Sequence, residues 1–394
     1  MTFREMGLAP QLIERLARAG ISEPTPIQSR VIRCALQGKS LVATSNTGSG
    51  KTLAYLLPLV QMIGEDDTSR ALILAPTREL AQQIGAVCST IIEPSISCAI
   101  IVGGVDYAPQ REALEQKPRI IVSTPGRLLD LKTQGIEICA PTHFIIDEVD
   151  QMLDLGFRDT IMDIATWRCA TAQTLSLSAT LPADVEELVA KVAPESERIV
   201  IEGEQMSVAS IEMLGYYVMP AMMDMLLLHL VRREQCEQAI IFARSRKMAD
   251  RLAALLTDNG FMAEAMHSDR SQRAREYIVE RFRGGQTKIM VATDVMARGI
   301  DIENVSHIFN YGLPLNAEQF LHRIGRAGRA GRAGRALSLI DPAEKPMVDN
   351  ICSMIHRHII FDHAHPYITS EVALTLEKVA QPKTKAKRGN TRRR

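Results

Sequence analysis

With 394 residues the chain is too long for one ordinary core, so two domains of about 200 residues each are expected. A composition of 46% hydrophobic and 23% charged residues describes a globular protein and excludes a disordered or fibrous one. The net charge of zero hides an asymmetry: residues 381–394 hold seven Lys or Arg and no acid, leaving 39 basic against 46 acidic residues elsewhere.

Along the chain, short apolar runs alternate with longer helical patterns. Ser40–Thr44, Ala71–Ala75, Ser97–Val102, Ile120–Ser123, Phe144–Ile146 and Thr174–Leu177 read as strands. They are too uniformly apolar to alternate, which marks a parallel sheet covered on both faces. Between them, Leu53–Ile63 and Glu79–Ile92 carry a 3.6-residue apolar period, and a helical lead-in precedes Ser40. The rhythm repeats at Gln238–Phe242, Phe261–Met266, Lys288–Ala292, His307–Asn310 and Arg335–Ile340, so the fold class is α/β with two tandem domains. The polar stretch Glu202–Glu212, with a glycine and no strand pattern, is the expected boundary. The expected domains are thus 1–203 and 213–365, joined by a linker at 204–212 and followed by an extension at 366–394. After the strand Arg335–Ile340, Ala343–Leu376 reads as a helix plus an irregular closing segment.

Residues 325–336 repeat Gly-Arg-Ala four times; without proline this is no collagen period, and it reads as a turn region presenting cations. The tail (Lys383, Lys385, Lys387, Arg388, Arg392, Arg393, Arg394) is expected to be disordered and to contact phosphates in a salt-sensitive way. The longest apolar runs, such as Met222–Leu230, are too short and too interrupted to span a membrane. Glu5 and the lack of a signal-length apolar run argue against secretion, and seven scattered cysteines form no Cys-x-x-Cys pair. A cytoplasmic protein without zinc or disulfides is expected.

Two motifs carry the chemistry. Ser45-Asn46-Thr47-Gly48-Ser49-Gly50-Lys51-Thr52 lies between an apolar strand and a helix. Such a turn offers backbone N–H groups to phosphates, a lysine to the terminal phosphate and a hydroxyl to Mg²⁺. The strict pattern has glycine where Ser45 stands, and a small residue still allows close approach. Phe144-Ile145-Ile146 then runs into Asp147-Glu148-Val149-Asp150. Acids after a buried strand can be a plain helix cap. Beside a phosphate loop they read as Asp147 and Thr52 holding Mg²⁺, with Glu148 activating the attacking water. Hydrolysis of ATP or GTP follows as the expected reaction, and loose phosphoryl transfer calls for cations on the γ-phosphoryl oxygens.

From Phe3 to about Ile340 the motifs resemble, in order, those of the DEAD-box ATP-dependent RNA helicases of superfamily 2. Gly20 to Gln28, with Phe3 upstream, is similar to the Q motif. The resemblance implies that Gln28 reads the adenine edge with Phe3 stacked nearby, favouring ATP. Ser45–Thr52 and Asp147–Asp150 match motifs I and II, and Ser178-Ala179-Thr180 matches motif III. Pro76-Thr77-Arg78-Glu79-Leu80, Gly103-Gly104 and Thr124-Pro125-Gly126-Arg127 resemble backbone-contacting motifs of the first domain. In the second, Ile240-Ile241-Phe242, Ala292–Asp301 and His322–Arg329 resemble motifs IV, V and VI, and Gln272 with Arg275 fit the family's Gln-x-x-Arg element.

By that likeness the fold is two RecA-like domains, each a parallel sheet covered by helices. The implied catalytic group is Lys51, Asp147 and Glu148, joined from the second domain by Arg326 and Arg329 as arginine fingers. Asp301 is implied at the nucleotide, while Asp150, Ser178, Thr180 and His322 are implied in coupling. Arg78, Gly104, Thr124, Gly126, Arg127, Gln272, Arg275 and Thr293 are implied contacts to RNA backbone, which carry little sequence information. Two departures stand out: Val149 replaces the alanine of the family name, with extra methyls expected near the phosphate loop and motif III, and Ala327 replaces the usual threonine. The implied function is an ATP-dependent RNA helicase with ATP and Mg²⁺ as cofactors. The rival readings are an ATP-gated RNA clamp and a DNA-directed ATPase.

Overall fold

The computed structural model describes residues 1–45, 48–201, 211–294, 305–328 and 334–380. The chain divides into two compact units at Met206/Ser207. In the first, helices α1 (Pro10–Arg18) and α2 (Pro26–Leu36) precede β1 (Leu41–Thr44) and α3 (Lys51–Glu65). Then come β2 (Ala71–Leu74), α4 (Arg78–Ile91), β3 (Cys98–Ile101), α5 (Tyr107–Glu115), β4 (Ile120–Ser123) and α6 (Pro125–Thr133). The unit closes with β5 (His143–Ile146), α7 (Val149–Asp154), α8 (Arg158–Ala165), β6 (Gln173–Ser178), α9 (Ala183–Val192) and β7 (Glu197–Val200).

The second unit opens with β8 (Ile211–Tyr217), α10 (Met223–Glu234), β9 (Ala239–Phe242), α11 (Arg246–Asp258), β10 (Ala263–Met266) and α12 (Gln272–Arg283). It continues with β11 (Ile289–Ala292), β12 (His307–Tyr311), α13 (Ala317–Ile324), β13 (Gly334–Ile340), α14 (Lys345–Ile355), β14 (Ile360–Phe361) and α15 (Ser370–Ala380). The sheet orders are β3-β4-β2-β5-β6-β1-β7 and β10-β11-β9-β12-β13-β8-β14. Numbered within each unit, the two orders are the same. All neighbours are parallel, with Val42 level with Ser176 in one sheet and Ile240 level with Ile308 in the other.

Alternation along each strand builds a core on both faces of each sheet. In the first, Leu41, Ala43, Ile73 and Ile145 join the cluster with α2 and α3, while Val42, Leu72, Leu74 and Ile146 join the one with α6 to α9. In the second, Ile240, Phe242 and Ile308 face one way, and Ile241, Val291 and Phe309 the other. Central strands β1, β2, β4, β9 and β11 are buried throughout, whereas edge strand β7 is mostly exposed.

Strand β8 begins at Ile211, inside the polar stretch read as the boundary. The segment after β13 contains two helices and the short strand β14 where one helix and an irregular end were expected. Gly215 in β8 explains how β14 fits: a Cβ there would lie 2.7 Å from the Phe361 ring and 2.9 Å from Ile359. The Phe361 ring instead stacks on Tyr217, 4.4 Å between centroids. Among the described residues, no helix is long and apolar enough to cross a membrane.

Candidate functional site: a phosphate loop facing paired carboxylates

The phosphate loop joins the carboxyl end of β1 to the N-terminus of α3, where free backbone N–H groups favour an anion. Gly48 and Gly50 have φ of 77° and 90°, the left-handed region open to glycine. Gly50 is constrained twice, because a Cβ there would come within 2.4 Å of Gln28 Nε2. That amide donates to the Gly50 carbonyl at 3.2 Å, while Gln28 Oε1 accepts from the Thr25 N–H in the capping box of α2. Gln28 therefore rests on the loop itself. The Ser45 hydroxyl bonds that of Ser49 at 2.7 Å, a link that glycine at 45 would lack.

Lys51 is 5% exposed; its Nζ lies 3.1 Å from the Ser45 carbonyl and 3.2 Å from Glu148 Oε1. Burial presses the ammonium towards neutrality, but Glu148, Asp147 and Asp150 outweigh it and raise its pKa. Asp147, at the end of β5, takes the Glu148 N–H on Oδ1 at 3.0 Å and the Tyr55 hydroxyl on Oδ2 at 2.9 Å. Burial, helped by the charge of Glu148, pushes the Asp147 carboxyl up to about 7 despite Lys51. Glu148 caps α7 with φ 52° and ψ 57°, a left-handed conformation costing a non-glycine residue about 1–3 kcal/mol.

The next acid ties this strand end to its neighbour. Asp150 Oδ2 accepts both the N–H and the hydroxyl of Thr180, each at 3.0 Å, and the Asp150 N–H donates to Ser178 Oγ at 3.3 Å. Lys51, Asp147, Glu148, Asp150, Ser178 and Thr180 thus form one connected cluster. Val149 is fully buried in the apolar cluster with α8 and α9. Phe3, expected beside the adenine, is 2% exposed within the first core cluster and presents no open ring face. Its position after the first residues gave no sign that a core would cover it.

Sheet order separates a second group. Arg78, Gly104, Thr124, Gly126 and Arg127 follow β2, β3 and β4, on the opposite half of the sheet from β6 and β1. The Arg78 guanidinium lies directly over Gly104, whose φ is 71°; a Cβ there would overlap it at 1.9 Å. Arg127 is buried, donating to the Val105 carbonyl at 2.9 Å, with its guanidinium 3.9 Å from the Tyr107 ring centre. Gln110, also buried, holds both the N–H and the carbonyl of Val102. These contacts shape the Gly103-Gly104 loop, and the roles of Gln110 and Tyr107 had no motif to reveal them.

In the second unit, Gln272 and Arg275 start α12 beyond β10, and Thr293 follows β11. Gln272 Nε2 bonds Glu276, Arg275 is buried, and the Thr293 N–H reaches the Met266 carbonyl at 3.3 Å. His322 and Arg323 end α13, with Arg326 in the following turn, 5% exposed. Arg323 is 1% exposed and locked: Nε and Nη2 meet the Asp294 carboxylate at 2.5 and 2.8 Å, and Nη1 meets Asn310 and the Gly312 carbonyl. Ala327 is fully buried 2.7 Å from where a Cβ on Gly334 would stand, so two small residues meet there. Asn46, Thr47, Asp301, Arg329, most of the expected linker and the basic tail lie outside the described residues.

Comparison with known proteins agrees with this geometry. Residues 25–188 match the DEAD/DEAH box helicase family model, and residues 221–331 match the helicase conserved C-terminal domain. The DEAD-box ATP-dependent RNA helicase CshA of Bacillus subtilis is 37% identical over 351 residues, covering 88% of this chain and 71% of that protein. RhpA of Helicobacter pylori, also a DEAD-box ATP-dependent RNA helicase, is 36% identical, covering 87% and 70% respectively. The structure of S. cerevisiae Dbp5 bound to RNA and ADP BeF3 superimposes with a TM-score of 0.81 at 29% identity, covering 96% of this chain and all of that one. The phosphate loop, the paired carboxylates and the twice-built parallel sheet thus have matched counterparts along most of the chain, which belongs to the DEAD-box family of ATP-dependent RNA helicases.

Proposed function

We propose that the chain is an RNA-stimulated ATPase that couples hydrolysis to local strand separation or to remodelling of RNA–protein complexes. The observation carrying this reading is the cluster in which one face of α3 touches both carboxylates of Asp147-Glu148 beneath a glycine-rich helix N-terminus. ATP phosphates would take the N–H groups of residues 48–52, and Lys51 would exchange Glu148 for the terminal phosphate. The buried oxygens of Asp147 and the hydroxyl of Thr52 are a hard donor set suited to Mg²⁺. The metal would neutralise charge on the β- and γ-phosphates. Glu148, freed from Lys51, would orient and deprotonate the attacking water. Arg326 and Arg329 would stabilise the γ-phosphoryl oxygens once RNA draws the domains together, and a finger of this kind contributes about 10³–10⁵ in rate.

RNA would be held by groups suited to phosphates and sugars. Arg78, Gly104 and Thr124 would contribute from the first domain, and Gln272, Arg275 and Thr293 from the second, with 2′-hydroxyls distinguishing RNA from DNA. Arg127 would act through the loop it supports. The seven free cysteines fit work in a reducing cytoplasm.

The test is ATP turnover with and without single-stranded RNA, beside single-stranded DNA and the Glu148→Gln variant. Strong stimulation by RNA alone, abolished in the variant, is the expected result. Equal stimulation by DNA, or none by either, would overturn it.

A further inference from the structure

Tyr55 lies four residues beyond Lys51, so the two side chains share one face of α3, a turn apart. Each meets a different acid: Lys51 Nζ is 3.2 Å from Glu148, and the Tyr55 hydroxyl is 2.9 Å from Asp147 Oδ2. Tyr55 is fully buried, and its hydroxyl is the donor in this bond. The Glu148 N–H holds the other Asp147 oxygen at 3.0 Å, so the carboxylate is fixed from two sides. Each oxygen keeps a further lone pair for a ligand. Free rotation of Asp147 is blocked, and its remaining acceptor sites point in set directions.

We propose that Tyr55 is a positioning residue for the metal: its hydroxyl orients the Asp147 carboxylate towards Mg²⁺ and ties that orientation to the helix that starts at the phosphate loop. The inference rests on the ATPase reading above. Movement of α3 as phosphates enter would be relayed through Tyr55 to the metal-holding acid, while Lys51 carries the same movement to Glu148. Phenylalanine at this position would fill the same apolar space and lose the tether to Asp147 together with the hydroxyl's contact with Thr52.

The test is binding of a fluorescent ADP analogue to the full chain across a Mg²⁺ titration, for wild type, Tyr55→Phe, Asp147→Asn and the double variant. In Tyr55→Phe the Mg²⁺ concentration giving half-maximal tightening is expected to rise about 5- to 10-fold. Nucleotide affinity in EDTA should stay within about twofold of wild type, and the melting temperature within about 2 °C. In the Asp147→Asn background the same change should have no further effect, because Tyr55 acts through that carboxylate. A Mg²⁺ dependence unchanged in Tyr55→Phe would overturn the inference, as would an equal effect with and without Asp147. Wild type that binds no nucleotide at any Mg²⁺ concentration would instead overturn the ATPase reading itself.

Discussion

Strand β1 of the first domain runs into a glycine-rich loop and a helix beginning at Lys51. Its counterpart β8 runs into Val218-Met219-Pro220 and a 3₁₀ turn with no glycine and no lysine. The same contrast holds two strands further in. Strand β5 ends at Asp147-Glu148, whereas the matching strand β12 carries buried Asn310, which holds Arg323. The scaffold is shared down to the strand order. The first domain places a phosphate cradle and paired acids at these two strand ends, and the second domain has neither at the matching ends of β8 and β12. Fold alone therefore does not say which domain binds nucleotide; the loop residues at two strand ends do.

Replacing Arg326 by alanine tests the division most severely. RNA-stimulated turnover is expected to fall by about 10³-fold, measured as phosphate release, with nucleotide affinity nearly unchanged. A matching loss of affinity would mean that the second domain shares the cradle. Gly50→Ala should act the other way, weakening nucleotide binding by about 100-fold, because a Cβ 2.4 Å from Gln28 displaces the loop. Intact binding of the fluorescent nucleotide would refute that constraint.

Stability should separate the domains as well. Asp294→Ala leaves the guanidinium of Arg323 buried without its carboxylate and is expected to cost about 3 kcal/mol, read from the unfolding of the second domain in urea. Gly215→Ala should cost that domain about 1–3 kcal/mol by pushing β14 off β8. In both variants, nucleotide binding by the first domain should survive.

A further effect concerns pH. Burial, helped by the charge of Glu148, pushes the Asp147 carboxyl up to about 7 in the fold, against about 3.9 in an unfolded chain. A carboxyl raised in this way contributes stability that is complete below about pH 4 and is lost as pH rises through 7. The melting temperature of the nucleotide-free protein should carry this falling component between pH 4 and 7, and Asp147→Asn should remove it.

The central strands were legible because two covered faces leave them uniformly apolar, as in Ile120-Ile121-Val122. Strand β8 was not, since Glu212 and Gly215 interrupt its pattern, and Gly215 is there to admit Phe361. At the site, spacing exposed Lys51, Asp147 and Glu148. It could not expose Tyr55, because an aromatic residue on a buried helix reads as packing until the partner of its hydroxyl is known. Nothing in the motif of Arg127 indicated that this arginine would be buried against Tyr107 and the Val105 carbonyl.

The order of the strands also bears on how the protein is made. Strand β1 lies between β6 and β7, with Leu41 level with Leu175 on one side and Glu197 on the other. The loop that follows it leaves the ribosome early, but the walls on either side are among the last pieces of the domain to emerge. Such long-range parallel pairing is slow to form. During synthesis, ATP should therefore be unable to stabilise the nascent chain until about residue 200 is free of the exit tunnel.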